Sequence, residues 1–252
     1  MTLASATPTR IQLCGATLVE LDGRRIDGGL PGRQGRVLFA FLVLNRHRFA
    51  SRAELAAAVW PEDAAAPAAS GLNPLLSKLR KILGDNRLEG HSALRLRLDA
   101  GARVDVEDAV RTVHRAESQI ALGQWHGAWG PSVAALIITE REFLPGEEAE
   151  WIDEYRAGMV ELHLRALEAY AAATLGIGGT ELPAAVRSGR RLVHLAPLRE
   201  SGYQLLMRAL DRQGNSAEAL GVYAELHSLL RDELGVSPSA ASQAVYTALN
   251  RG

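Results

Sequence analysis

The stretch of this chain best equipped for chemistry is Leu72-Asn73-Pro74-Leu75-Leu76-Ser77-Lys78-Leu79-Arg80-Lys81-Ile82-Leu83. Wound as a helix at about 100° per residue, it gathers Leu72, Leu75, Leu76, Leu79, Ile82 and Leu83 on one arc about 120° wide. Asn73, Ser77 and Lys81 fall opposite that arc, with Lys78 and Arg80 on its flanks. The chain holds two lysines, Lys78 and Lys81, and both lie here. Amide, hydroxyl and cationic groups over a packed apolar face are what contact base edges and phosphates in a DNA major groove. The same wheel also describes an ordinary amphipathic helix with a solvated charged face, so the pattern alone leaves both readings open.

Other chemistries find less support. The seven histidines are scattered and none pairs at metal-ligand spacing. There is no Gly-x-Ser-x-Gly elbow, no Walker loop and no Gly-x-Gly-x-x-Gly following a strand. Glu147, Glu148 and Glu150 read as a solvated helix start rather than a metal site. Cys14 is the single cysteine, which rules out an intramolecular disulfide framework and a Cys-rich zinc site. The expectation is a non-enzyme with no cofactor and no metal.

Composition narrows the class. Hydrophobic residues make up 47% of the chain and charged ones 23%, the proportions of a folded soluble protein, and 252 residues suffice for two domains. The longest uninterrupted apolar run, Val37 to Leu44, is far short of a membrane span. The N-terminus shows no basic stretch leading into an apolar core. A cytoplasmic, nucleoid-associated chain with no membrane partner is expected. The net charge of -1 hides an asymmetry. Residues 1–104 carry 15 basic and 9 acidic side chains, a surplus of +6; residues 105–252 carry 13 and 20, a deficit of -7. A basic front suits phosphates and an acidic back suits a protein partner.

The elements that must position the polar helix can be read in order. Residues 1–9 are small and polar and are expected to be disordered. Ile11–Leu13, Thr17–Leu21 and Arg24–Ile26 read as short strands, with Asp22-Gly23 as a hairpin turn. A helix is expected over Arg33–Asn45. Ser51-Arg52-Ala53-Glu54 has the form of a capping box opening a second helix, Arg52–Trp60, which Pro61 would end. Trp60 reads as a core anchor, and Glu62–Ala69 as a loop. Pro74 leaves two starts for the third helix. Either Asn73 is its N-cap and Pro74 its first residue, or the helix begins near Pro67 and Pro74 lies inside it. Gly84 ends it. Arg87-Leu88 and the alternating Ala93–Leu98 then form a hairpin, with Leu94, Leu96 and Leu98 on one face and Arg95 and Arg97 on the other.

Beyond Val104, helices take over. Asp105 is a candidate N-cap for a helix over Val106–Leu122. A turn at Phe143–Trp151 leads into a long helix whose apolar positions step by three and four. Helices are expected over Leu182–Leu195, Arg199–Gln213, Ser216–Leu234 and Pro238–Leu249, the last capped by Ser237. Leu182-x-x-Ala185-Val186 and Ser216-x-x-Ala219-Leu220 stand 34 residues apart, the tetratricopeptide period.

The motifs also carry a resemblance. Leu13-x-Gly15, Asp22-Gly23-Arg24, Arg36 before Leu38, Ser51-Arg52-x-x-Leu55, Val59-Trp60 and Leu76-Ser77-Lys78-Leu79-Arg80-Lys81-x-Leu83 resemble the OmpR-type winged helix-turn-helix. The form is that of the Streptomyces antibiotic regulatory protein family. Phe143 to Trp151, Pro197 to Tyr203, Gly214 to Tyr223 and Arg231 to Pro238 resemble the bacterial transcriptional activator domain that follows it in that family. The resemblance implies an α+β winged helix-turn-helix over residues 10–101, then an all-α, tetratricopeptide-like helical domain over 102–252. It implies a transcriptional activator, often of a biosynthetic gene cluster, that binds promoter repeats as double-stranded DNA, as a homodimer or in tandem, and contacts RNA polymerase holoenzyme. With no third domain following, this would be the small form of the family.

Carried over, the resemblance makes Lys78 a base-edge reader. Ser77, Arg80 and Lys81 become phosphate or base contacts, and Arg87, His91, Ser92 and Arg95 become contacts of the wing. The wheel alone ranks Asn73, Ser77 and Lys81 first. Two departures stand out. The family often has arginine at the place of Lys78, and a lysine offers a point charge where an arginine offers a planar fork. Ala93-Leu94 replaces a Gly-Tyr pair common in the wing. The rival reading is a tetratricopeptide-like interaction scaffold whose front domain does not bind DNA.

Overall fold

A computed structural model describes residues 8–60, 67–84 and 86–251. Its residues fall into two compact units, one formed by 1–108 with 141–159 and the other by 109–140 with 160–252. The sequence placed a single boundary at 101/102; the first unit also takes in a segment 40 residues further on. Most of the expected disordered N-terminus, Pro61 and the loop to Ala66 lie outside the described residues. Thr9 does not belong to a loose end: it is buried, and its carbonyl accepts the Arg103 N–H at 2.9 Å.

In the first unit, β1 (Arg10–Gln12), β2 (Leu18–Leu21) and β3 (Arg24–Arg25) form an antiparallel meander. Asp22 and Gly23 both adopt positive φ, the backbone that a two-residue hairpin requires. The strand β7 (Arg103–Val104) adds in parallel to β1, giving the order β3-β2-β1-β7. Next come α1 (Gly32–Leu44), β4 (Ala50–Ser51), α2 (Arg52–Val59) and α3 (Pro67–Leu83). The strands β5 (Leu88–Glu89) and β6 (Ala93–Leu96) close a second sheet in the order β4-β6-β5. Leu94 and Leu96 are buried with Val37, Leu38, Leu42, Leu55, Leu76 and Leu79 among the core residues of this unit.

The capping box is present in full: Ser51 Oγ accepts from the Glu54 N–H, and Glu54 accepts from the Ser51 N–H. Pro74 lies inside α3, which settles the open choice in favour of the earlier start and puts helix where a loop to Ala69 was expected. The Trp60 ring covers Gly71, where a Cβ would stand 3.1 Å from it.

The segment 141–159 joins the first unit by contacts with no local sequence signature. Gly15 N–H donates to the Glu142 carbonyl at 2.7 Å, and Leu144 N–H to the Leu13 carbonyl at 2.9 Å. Trp151 Nε1 donates to the Ala58 carbonyl at 3.0 Å, and its ring meets Phe41 edge-on at 5.4 Å. Glu147, expected to be solvated, is buried and accepts from Arg33 at 3.0 Å and Arg36 at 2.7 Å. Arg156 donates to the carbonyls of Phe143, Leu144 and Glu147, fixing the turn itself.

Asp105 opens α4 (Asp105–Ala121), but its carboxylate reaches back to the Leu13 and Cys14 N–H groups, each at 2.9 Å, and takes the Val106 N–H. Burial raises the Asp105 pKa, and it pushes the neighbouring Cys14 thiol up to about 12.

The second unit is helical, from the body of α4, α5 (Trp125–Thr139) and the body of α6 (Glu150–Ile177) through α7 (Leu182–Leu195), α8 (Glu200–Arg212), α9 (Ser216–Leu234) and α10 (Ala240–Leu249). The fold is tetratricopeptide-like: α7 packs on α8, α8 on α9, and α10 against both α8 and α9. Close approach of α7 and α8 depends on small residues. A Cβ at Gly189 would lie 2.9 Å from the Leu206 Cβ, and one at Gly202 would lie 3.0 Å from the Leu192 Cβ. Ala185 and Ala219, which stand 34 residues apart, are both buried in the cluster built on Tyr203, Leu206, Met207, Leu210 and Leu226. The cap of α10 is Ser239 rather than Ser237, and Pro238 precedes it.

The division by contacts redistributes the charge. The segments 105–108 and 141–159 carry nine acidic and two basic side chains, so the first unit has 17 basic against 18 acidic groups. The second has 11 of each. The acidic surplus of the back half therefore sits in two segments that pack with the front, and the helical unit is neutral. No helix among the described residues is long and apolar enough to cross a membrane.

Candidate nucleic-acid interface

The polar face of α3 is held outward by the burial of its other side. Leu72, Leu75, Leu76, Leu79 and Leu83 are buried, and Ile82 is half-buried. Asn73, Ser77, Lys78 and Lys81 are exposed. Lys78 and Lys81 form no ion pair among the described residues, so both ammonium groups face solvent. Asn73, Ser77 and Lys81 step by four and share one line along the helix.

The hairpin β5–β6 pairs Leu88 with Leu96 and Glu89 with Arg95. Its turn exposes His91 and Ser92. Gly90 has φ +90°, and a Cβ there would fall 2.0 Å from the Ala93 carbonyl oxygen, so the turn admits no side chain at this position. Two arginines hold the turn against the helices. Arg80 Nη2 donates to the Gly90 carbonyl at 3.0 Å, and Arg52 Nη1 to the His91 carbonyl at 3.3 Å. Arg52 also donates to Asn73 Oδ1.

The remaining cations are already engaged. Arg87 is largely covered and pairs with Asp22 at 2.7 Å. Arg95 pairs with Glu89 at 2.7 Å and lies over the exposed Phe49 ring, 4.6 Å from its centroid. Arg97 pairs with Glu89 as well, at 2.7 Å. Hydrogen bonds from Arg95 and then Arg97 hold the Glu89 carboxyl below its ordinary pKa, so it stays ionised and offsets part of the hairpin's positive charge.

Thus the structure brings Asn73, Ser77, Lys78 and Lys81 together on one exposed face and sets the turn residues His91 and Ser92 on the hairpin that Arg80 and Arg52 hold. Arg87 and Arg95 are instead bound to carboxylates of the chain itself. Sequence reasoning missed Arg52 as an interface residue and gave it a place only in the capping box, at the start of the second helix and in the winged-helix motif. Its position follows from β4: Ser51 pairs with Ala93 in β6, so the first residue of α2 emerges beside the hairpin turn. Among the described residues no group of histidine, cysteine and acidic side chains is arranged to hold a metal ion.

Residues 104–250 match the family described as the bacterial transcriptional activator domain. The chain belongs to this family. Several of its relatives by sequence are transcriptional regulators, and they bear out the resemblance to the Streptomyces antibiotic regulatory proteins. Regulatory protein AfsR of Streptomyces coelicolor is 34% identical over 223 residues, covering 88% of this chain and 22% of AfsR. Transcriptional regulator RedD of the same organism is 30% identical over 249 residues, covering 88% of this chain and 65% of RedD. This member of the activator-domain family thus spans under a quarter of the length of that AfsR. Mycobacterium tuberculosis EmbR, solved in complex with a low-affinity phosphopeptide, superposes with a TM-score of 0.83 at 24% identity over 97% of this chain and 65% of that one. The likeness establishes a shared, mostly helical fold.

Proposed function

We propose that the chain is a sequence-specific DNA-binding transcriptional activator. Residues 10–101 act as a winged helix-turn-helix, α3 entering the major groove and β5–β6 forming the wing. The observation that carries this reading is the pair of exposed lysines, Lys78 and Lys81, which form no ion pair among the described residues and share a helix with the exposed Asn73 and Ser77. Lys78 reads a base edge, Ser77 and Lys81 contact bases or phosphates, and Arg80 reaches a phosphate with the donors that Gly90 leaves free. His91 and Ser92 at the turn approach the neighbouring backbone. Arg87 and Arg95 contribute less, because Asp22 and Glu89 already neutralise them. The part of the chain over 102–252 contacts RNA polymerase holoenzyme, and the targets are promoter repeats, as of a biosynthetic gene cluster, bound in tandem or by a homodimer in the cytoplasm.

The rival reading, an interaction scaffold without DNA binding, gains from the near-neutral charge of the first unit. Phosphate attraction depends on where cations lie rather than on the sum, and α3 concentrates them. Gel retardation of random-sequence duplexes between 50 and 200 mM salt, a window chosen to span the steep range of counterion release, tests the choice. Affinity that falls steeply with salt supports the activator; no binding at the lowest salt supports the scaffold.

A further inference from the structure

The contact between Arg52 and Asn73 bears on which base the interface selects, and it rests on the DNA-binding reading above. A guanidinium has only donors, so the Asn73 atom it faces must be the carbonyl oxygen Oδ1. The amide is thereby oriented, and Nδ2 makes no hydrogen bond among the described residues. Arg52 is itself held by its place at the start of the capped helix α2 and by the His91 carbonyl, so this orientation is built into the scaffold.

We propose that Arg52 fixes Asn73 as a hydrogen-bond donor, so that this position of the interface selects an acceptor on DNA and disfavours adenine. An unrestrained asparagine reads adenine with both ends, Oδ1 taking an N6 hydrogen and Nδ2 donating to N7. Here Oδ1 keeps one lone pair, but the guanidinium charge lies against it. The amino group of adenine or cytosine brings partial positive charge to the same place and is repelled. An acceptor meets the opposite: amide hydrogens backed by a cation. Guanine alone sets two adjacent acceptors, O6 and N7, before the two amide hydrogens, whereas thymine O4 and adenine N7 are single acceptors, so the partner is either the O6/N7 edge of guanine or a phosphate oxygen. Arg52 is a positioning residue in this scheme and acts through Asn73.

Site selection from a randomised duplex pool, with the wild-type chain, Asn73→Ala and Arg52→Met, separates the outcomes. If the acceptor is guanine, one G·C preference disappears in Asn73→Ala. Replacing that pair by A·T then costs the wild type about tenfold in affinity, and Arg52→Met about threefold or less. If the acceptor is a phosphate, Asn73→Ala selects the wild-type sequence and binds every duplex more weakly by a common factor. An A·T preference that Asn73→Ala abolishes would overturn the proposal, as would an Asn73→Ala chain that binds and selects as the wild type does. A wild-type chain that binds no duplex overturns the DNA-binding reading instead.

Discussion

Glu147 and Arg36, 111 positions apart in the chain, meet at 2.7 Å with the carboxylate buried. Arg33 takes the second oxygen at 3.0 Å, so one side chain from the turn before α6 ties down two from α1. Glu147→Ala removes the shared partner and leaves a gap among buried neighbours. The expected loss is about 1–3 kcal/mol of stability, since the charge-assisted hydrogen bonds of a buried carboxylate are lost while the half-exposed arginines turn to water. Urea unfolding followed by tryptophan fluorescence, which Trp151 reports from the same segment, measures it.

Cys14 is buried, and its thiol is pushed up to about 12 by desolvation first and by Asp105 second. At pH 8 it should remain protonated and closed to alkylation, because the thiolate is the reactive form. Native protein treated with iodoacetamide is expected to gain no label within the time that urea-unfolded protein gains one. Rapid labelling of the native chain would mean that β1 and its neighbours open readily.

Glu200 anchors α10 by accepting from the Ser239 N–H at 2.9 Å, the Ser239 hydroxyl and the Ser242 hydroxyl. Partial burial raises its pKa, but the hydrogen bonds from Ser242 and Ser239 outweigh burial and hold it below its ordinary value of 4.5. A depressed carboxylate contributes stability above its unfolded pKa and loses it as pH falls through the folded one. Glu200→Gln should therefore be less stable than the wild type at pH 7, by on the order of 1 kcal/mol given its partial exposure. The two chains should converge in thermal unfolding midpoint below pH 4.5.

Gly90→Ala places a Cβ on the Ala93 carbonyl at a positive φ and forces the hairpin turn to change. The helices lie elsewhere in the chain, so far-UV circular dichroism should be preserved. DNA affinity is expected to fall several-fold, by about 1 kcal/mol or more, as His91 and Ser92 leave their places. Unchanged affinity would show that the turn does not touch DNA.

What was legible in the sequence was whatever is periodic or local. The alternation of leucines gave away the hairpin, Ser51 and Glu54 marked the start of α2, and five of six residues on the apolar arc of α3 are buried. The 34-residue spacing of Ala185 and Ala219 showed the helical repeat. Long-range pairing left no such trace. Glu147 looked like an ordinary acidic helix start because its partners lie more than a hundred residues upstream, and Asp105 looked like a cap because nothing nearby announced Leu13 and Cys14. Counting charge along the chain misled for the same reason: nine acidic groups from behind residue 104 fold into the front unit. At the interface, the polar row on α3 was readable from the wheel, whereas the part played by Arg52 depends on the pairing of β4 with β6.

The central claim is that Lys78 and Lys81 face DNA. Its most direct test is the slope of log affinity against log salt for the wild type and the Lys78→Ala/Lys81→Ala double variant on one duplex. Each lost phosphate contact flattens the slope by about 0.9, so two contacts would flatten it by about 1.8, and a base contact by Lys78 would lower affinity on top of about 0.9 from Lys81. A double variant that binds as tightly as the wild type, with the same salt dependence, would contradict the account.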